Sequence, residues 1–202
     1  ALAFDARSLA DEASKQQSEI AQAALRSVLR DTSRANLVGE LPWIGWAELA
    51  LAPLPARIPA ADALTALRAT TWKFQISEQD AGADYADMTG GILFTRARQP
   101  LPTWQTLRPL AFFATALGDP RLTDDEHLRA QAMALRACLR FVLQLMVTQD
   151  NAWLLRDPPR ALGAVRRALW DQSCPLEASS LALIAISETL RSMDLRASKP
   201  SP

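Results

Sequence analysis

A chain of 202 residues and 22.1 kDa, 49% of it hydrophobic, is long enough to bury one core and too long to depend on disulfide staples. Its 22 basic and 22 acidic residues cancel, which removes the basic surplus that a nucleic-acid or anionic-membrane binder needs. Two cysteines, Cys138 and Cys174, cannot build a disulfide framework and lack metal-site spacing.

Ala and Leu make up about a third of the residues and Val and Ile only about a dozen, so the composition favours helix over strand and points to an all-α fold. No apolar run reaches the ~18 residues of a membrane span, and no signal-peptide core opens the chain. Its start at Ala1, without Met, reads as a piece of a longer chain.

In chain order, apolar residues at helical spacing (Leu9, Ala13, Ile20, Leu25, Leu29) predict a helix over about 4–31. Pro42 predicts the start of a second, over about 42–51, since proline suits a first turn. The Pro53, Pro55 and Pro59 cluster is a break. A third helix follows over about 60–76, and Pro102 opens a fourth to about 117. Within that helix, Pro109 after Arg108 predicts a kink. Thr123-Asp124-Asp125-Glu126 reads as a capping box, with Thr123 as the cap and Glu126 reaching back. It opens a long helix to about 148. The last helix runs from Pro175 to about 192, and 197–202 reads as a polar, proline-containing tail.

These pieces repeat. An apolar helix running to Gln79-Asp80 matches one running to Gln149-Asp150; Gly91-Ile92-Leu93 matches Gly163-Ala164-Val165; Pro102 matches Pro175. The spacing drifts only from 70 to 73 residues, and an earlier unit with Asp31, Gly39 and Pro42 follows the same order more loosely. The chain therefore reads as three antiparallel helical hairpins, about 4–52, 59–117 and 123–193, with two long loops at 77–101 and 150–174. Such pairs cannot bury their apolar faces alone, so they stack into a short solenoid or close into a ring. Within the loops, 92–95 suggests a short strand. Residues 159–170 suggest a helix with Arg160, Arg166 and Arg167 outward.

The sequence Gln149-Asp150-Asn151-Ala152-Trp153, then Gly163-Ala164-Val165, then an apolar helix, resembles the terpenoid-cyclase and protein-prenyltransferase repeat over about 60–193. Leu41-Pro42-Trp43-Ile44-Gly45-Trp46 and Pro100-Leu101-Pro102-Thr103-Trp104-Gln105 are similar to phrases in uncharacterised bacterial members of that class. The resemblance implies half of an α/α toroid. Its chemistry does not transfer. An Asp-x-Asp-Asp acid motif is reduced to Asp124-Asp125, and a metal-binding Asp-Asp-x-x-Asp would need Asp where Leu128 stands. The zinc-binding Asp-x-Cys pair has only Asp171 and Cys174 at the wrong spacing, and His127 is the only histidine, so three or four converging zinc ligands are not in sight.

Six Trp against one Tyr is an unusual ratio. Trp43, Trp46, Trp104 and Trp170 fall at or just before the proline-started helices, so the repeat should gather them at one end of the stack. With Arg108 and Glu177, charges inside apolar helices, they form the candidate ligand-binding set for an apolar, cationic or sugar ligand. The alternative is that indoles wedge hairpins together and bond loop carbonyls, and that each charge is paired. Asp124 to His127 read as helix-start acids favoured by the dipole rather than as a metal site. No phosphate loop, nucleophile elbow or zinc-helix motif is present, and nothing calls for a cofactor or catalytic set. Nineteen of the 22 basic residues are Arg.

The sequence thus favours a non-catalytic hairpin-repeat scaffold or interaction domain. Its partner would be another segment of the same protein, a different protein, or a second copy in a homodimer. Half of an isoprenoid-processing toroid enzyme and a ligand-binding module at the Trp-rich end are the alternatives.

Overall fold

The computed structural model describes residues 12–52, 56–94 and 101–198. Within them the protein is all-α. Its helices are α1 (Glu12–Asp31), α2 (Arg34–Leu51), α3 (Ala61–Trp72), the single-turn α4 (Glu78–Ala81), α5 (Leu107–Gly118), α6 (Asp125–Leu145), the single-turn α7 (Pro158–Ala161) and α8 (Leu176–Ala197). Short 3-10 turns occur at Ala86–Met88, Trp104–Thr106 and Ala152–Leu154. The expected helix start at 4–11 and the tail at 199–202 lie outside the described residues.

Several boundaries differ from expectation for local reasons. α2 does not start at Pro42; it starts at Arg34 after Ser33, and Pro42 sits buried in its interior. Interior proline costs an amide hydrogen bond. Here that cost is met by a helix that is apolar around most of its surface, with Leu37, Leu41, Ile44 and Ala50 all buried. The expected kink at Pro109 also fails, because a 3-10 turn precedes α5 and leaves Pro109 in its first turn, where no donor is needed. At 92–95, Ile92 makes one isolated bridge to Gln75, and Thr95 lies outside the described residues. The expected helix at 159–170 ends at Ala161.

The repeat is visible atom by atom in the two loops. After α3, Gly90 N donates to Ile76 O and Leu93 N to Phe74 O; after α6, Gly163 N donates to Val147 O and Arg166 N to Leu145 O. Ile92 N donates to Thr106 Oγ1 at 3.0 Å, and Val165 N, 73 residues later, donates to Ser179 Oγ at 3.1 Å. Ser77 N donates to the Asp80 carboxylate, and Thr148 N to Asn151 Oδ1. Asp80 therefore corresponds to Asn151, not to Asp150, and the pairing read from sequence is one residue off. Gly90 and Gly163, at φ +90° and +81°, turn each chain into its bridge, a conformation glycine adopts without penalty.

Long-range bonds fix the layers. Trp46 Nε1 donates to Thr115 Oγ1, and Arg121 on the turn after α5 reaches Ala52 O at the end of α2, so α2 and α5 run in the same direction. Arg108 to Glu177 and Ser192 Oγ to Ala114 O place α8 parallel to α5. Arg68 bonding to Thr123 and Trp72 to Gln131 make α3 and α6 parallel to each other. The tilted contact of Trp72 with Phe113 (4.6 Å) near the middle of α5, with Arg68 at its far end, makes α3 antiparallel to α5. One layer therefore contains α2, α5 and α8. α3 and α6 cover it from one side, each packing on the layer helix of the preceding hairpin, and α1 packs on α2. α5 sits at the centre, buried from Pro109 to Leu117, and its interface with α8 is the largest among the described residues.

Glu48 on α2 is 5% exposed. Burial pushes its carboxyl pKa up, opposed by a hydrogen bond from the Ala60 backbone and by Arg26. A raised native pKa means that the folded state holds this proton more tightly than the unfolded chain. Its contribution is then fully present in acid and is lost as pH rises through the native value. Glu48→Gln keeps an acceptor for Ala60 and removes the charge. It is expected to melt above the wild type at pH 7, with the difference vanishing towards pH 4. A lower melting temperature at pH 7 would contradict the account.

Candidate functional site

The layer helices begin at one end of the molecule, and there the structure assembles part of the predicted set. Arg108, in the first turn of α5, lies over the Trp104 ring at 5.5 Å and donates from its terminal NH2 to Glu177 Oε1 at 2.8 Å. Its other terminal nitrogen lies 3.8 Å from where a β-carbon on Gly39 of α2 would stand. One guanidinium thus joins α5 to α8 and lies close to α2 where Gly39 has no side chain. The pair is only partly covered, at 28% and 40% side-chain exposure, so solvent screens it. Arg108 Nε is buried without a hydrogen-bond partner. Trp104 is held from behind, its amide donating to Arg167 O.

The other tryptophans divide differently. Trp43 and Trp46 pack edge to face at 5.6 Å, one turn along α2. Trp46 bonds Thr115 and Trp72 bonds Gln131, so these two indoles tie helix to helix. Trp43, Trp153 and Trp170 are at least half exposed. Trp170 sits in the tight turn closed by Ala168 and Asp171. Trp104, Arg108 and Glu177 come together, Trp43 and Trp46 form a second pair, and Trp170 has no ring contact within either group.

At the opposite end of the layer, arginines hold the stack. Arg121 donates to Ala52 O and Ala56 O while its carboxylate partner Asp119 lies 2.6 Å away. That guanidinium holds the Asp119 pKa low against the burial that would raise it. Arg196 caps Leu117 O, the last turn of α5, and also reaches Thr123 O and Asp125. Arg166 does not point outward as expected. It is 7% exposed and bonds Leu145 O and Gln144 O at the end of α6. Helix C-termini leave unpaired carbonyls and carry negative dipole ends, which a forked cation satisfies.

The Asp124 to His127 cluster is a cap, shifted one residue from the predicted box. Asp124 accepts from His127 N at 2.8 Å and meets the imidazole at 2.7 Å. Thr123 turns inward to bond Arg68 and Ala116 O. Among the described residues no group of three or more His, Cys, Asp or Glu converges on a metal-sized point. Cys138 is fully buried beneath the Gln75 amide, and burial raises its pKa to about 12, which makes it an unreactive packing thiol.

One polar cleft of about 160 Å³ lies between the first loop and α6, lined in part by Ser77, Glu78, Asp87, Arg140 and Gln144. Glu78 and Arg140 face each other at 3.8 Å, both more than 60% exposed. It offers solvated hydrogen-bonding groups and no desolvated acid or base.

Sequence reasoning missed the outer face of α8. Leu176, Leu183, Leu190 and Met193 are 83%, 68%, 59% and 59% exposed. On α5, 73 residues earlier by the loop correspondence, Leu110, Phe113 and Leu117 occupy the positions of Leu183, Ile186 and Leu190, and all are buried. The spacing of seven from Leu176 to Leu183 to Leu190, and again from Ile186 to Met193, was the available clue. Among the described residues no helix is long and apolar enough to cross a membrane.

No family model matches the chain, and neither a curated protein nor a solved structure is similar enough to it to be matched.

Proposed function

We propose that this chain is a non-catalytic hairpin-repeat interaction module whose binding surface is the open face of its last hairpin. One observation carries the reading: α8 exposes the apolar positions that its counterpart α5 buries. Exposed contiguous apolar rows of this kind mark interaction surfaces. The arrangement of polar groups agrees with it. Arg108, Arg121, Arg166 and Arg196 are engaged in joining helices, and Asp124 caps α6, which leaves the module's chemistry structural. Half of a toroid, as the repeat resemblance implies, would present the same open face.

A photo-crosslinking residue placed at position 183 tests the proposal in cells. The expected result is a discrete protein adduct, identified by mass spectrometry, that the same group at position 136 on the exposed side of α6 does not give. Equal labelling from both positions, or none from 183, would remove the interaction reading.

A further inference from the structure

We infer that the partner of this face is a second copy of the chain, with the two α8 helices pairing antiparallel about a twofold axis near Ile186 and Ser187. The inference rests on the interaction reading and goes beyond it by naming the occupant.

The face is self-complementary along its length. In an antiparallel pair centred between residues 186 and 187, Leu183 meets Leu190 of the other copy, Leu176 meets Ala197, and Ser180 meets Met193. The heptad-like row suits a helix as its occupant, because apolar residues alternating three and four apart form a straight seam only against another helix. The exposed positions along its central part, Leu176, Ser180, Leu183, Ser187 and Leu190, carry no charge. The flanking Asp194 falls opposite Ser179 and Ser180 of the second copy and the flanking Arg191 opposite Ala182, so no like charges meet. Glu188 is engaged by Arg191 on its own helix, and Glu177 by Arg108, so neither carboxylate is left to be buried unpaired. α8 has 22 residues, about 33 Å, which gives the seam the length of a three-heptad pair.

Stacking head to tail, with α2 of a second copy laid on α8, fits less well. The open side of α2 carries Asn36 and Glu40 beside Trp43, all exposed, so docking it would press a carboxylate against Leu183 or Leu176. Twofold pairing also closes on itself, whereas head-to-tail contact continues unless the rotation happens to close.

Sedimentation equilibrium over a wide concentration range tests this on the unmodified chain. The expected mass at high concentration is twice 22.1 kDa. Leu183→Ser with Leu190→Ser should shift the chain to monomer while keeping its helical circular dichroism, since both residues are exposed. Met133→Ser, at a 65% exposed site on α6, should leave the dimer intact. In a Cys174→Ser background, which removes the native exposed thiol, Ser187→Cys should oxidise rapidly to a disulfide-linked dimer. A monomer at every concentration, a ladder of larger masses, or a dimer indifferent to the double substitution would each overturn the pairing. A monomer that still gives a foreign adduct from position 183 would reject self-pairing and leave the interaction reading standing.

Discussion

Gly90→Ala should cost several kcal/mol and lower the urea midpoint sharply, while Gly163→Ala, at the corresponding position of the next hairpin, should cost only about 1–2 kcal/mol. Both residues hold positive φ, so both variants carry the same strain from a β-carbon in that region. They differ in what the β-carbon meets. At Gly90 it would stand 2.0 Å from Ala137 O and 2.4 Å from Ala137 C, backbone atoms of α6 that cannot move without displacing the helix. At Gly163 nothing lies within 4 Å. At about 2–4 °C per kcal/mol for a chain of this size, the melting temperatures of the two variants should separate clearly. Equal losses would mean that the first loop does not rest on α6 as described.

The asymmetry has the same origin as the open face of α8. The first loop is covered by the outer helix of the following hairpin: Gln75 Nε2 donates to Ala134 O and lies 3.1 Å from Cys138 Sγ, and Gly90 abuts Ala137. The second loop has the same internal bonds, but among the described residues no outer helix of a further hairpin covers it. Its Trp153, Leu162 and Trp170 are exposed accordingly. Repeat proteins gain stability from nearest-neighbour interfaces, and an uncapped terminal unit leaves one interface unmade.

What the sequence disclosed follows from which signals are local. Composition and apolar spacing gave the all-α class and most helix positions, because those are set by residues within one or two turns. The repeat was legible because glycine and proline recur in the same order in both loops, although Gly90 rather than Gly91 is the counterpart of Gly163, and the α-helix after Pro102 starts only at Leu107 whereas Pro175 directly precedes α8. Pro42 misled because it is buried on the packed face of α2, beside Leu41 and Ile44, where tertiary contacts outweigh a local preference. Arg166 misled because a guanidinium near an apolar turn can as well reach inward to the carbonyls of another helix. Repeat symmetry led the sequence reading to expect Trp43, Trp46, Trp104 and Trp170 at one end of the stack; Trp104 instead meets Arg108, which pairs with Glu177. Their mutual contact, across 69 residues in the case of Arg108 and Glu177, depends on how far α8 slides along α5, and no local pattern encodes that. The cleft beside Glu78 depends in the same way on how the first loop settles on α6.

Arg68→Leu is the second large effect expected. Arg68 on α3 is 6% exposed, and burial lowers its pKa, with Asp124 opposing. It donates to Leu122 O at 2.6 Å and to Thr123 Oγ1 at 2.7 Å, and Thr123 in turn donates to Ala116 O. These bonds join the outer helix of the second hairpin to the turn that enters the third. Leucine has similar bulk but no donor, so Leu122 O is left buried and unpaired, and Thr123 Oγ1 loses its donor while keeping Ala116 O as acceptor. Each unmet group costs about 1–3 kcal/mol. Removing a buried cation recovers part of its desolvation penalty, and for that reason some buried charges can be replaced with little loss. Here the carbonyl remains after the charge has gone, so the net effect should be destabilising by about 3 kcal/mol, or roughly 6–12 °C in melting temperature. Arg68→Lys keeps a charge but loses the fork that spans two acceptors, and should fall between the two. Hydrogen exchange should quicken first in the turn at 119–124 and the start of α6, where the lost bonds close the junction, rather than within α3. If Arg68→Leu melts at or above the wild type, the guanidinium costs more to bury than the junction gains from it, and hairpin packing alone holds the second and third units together.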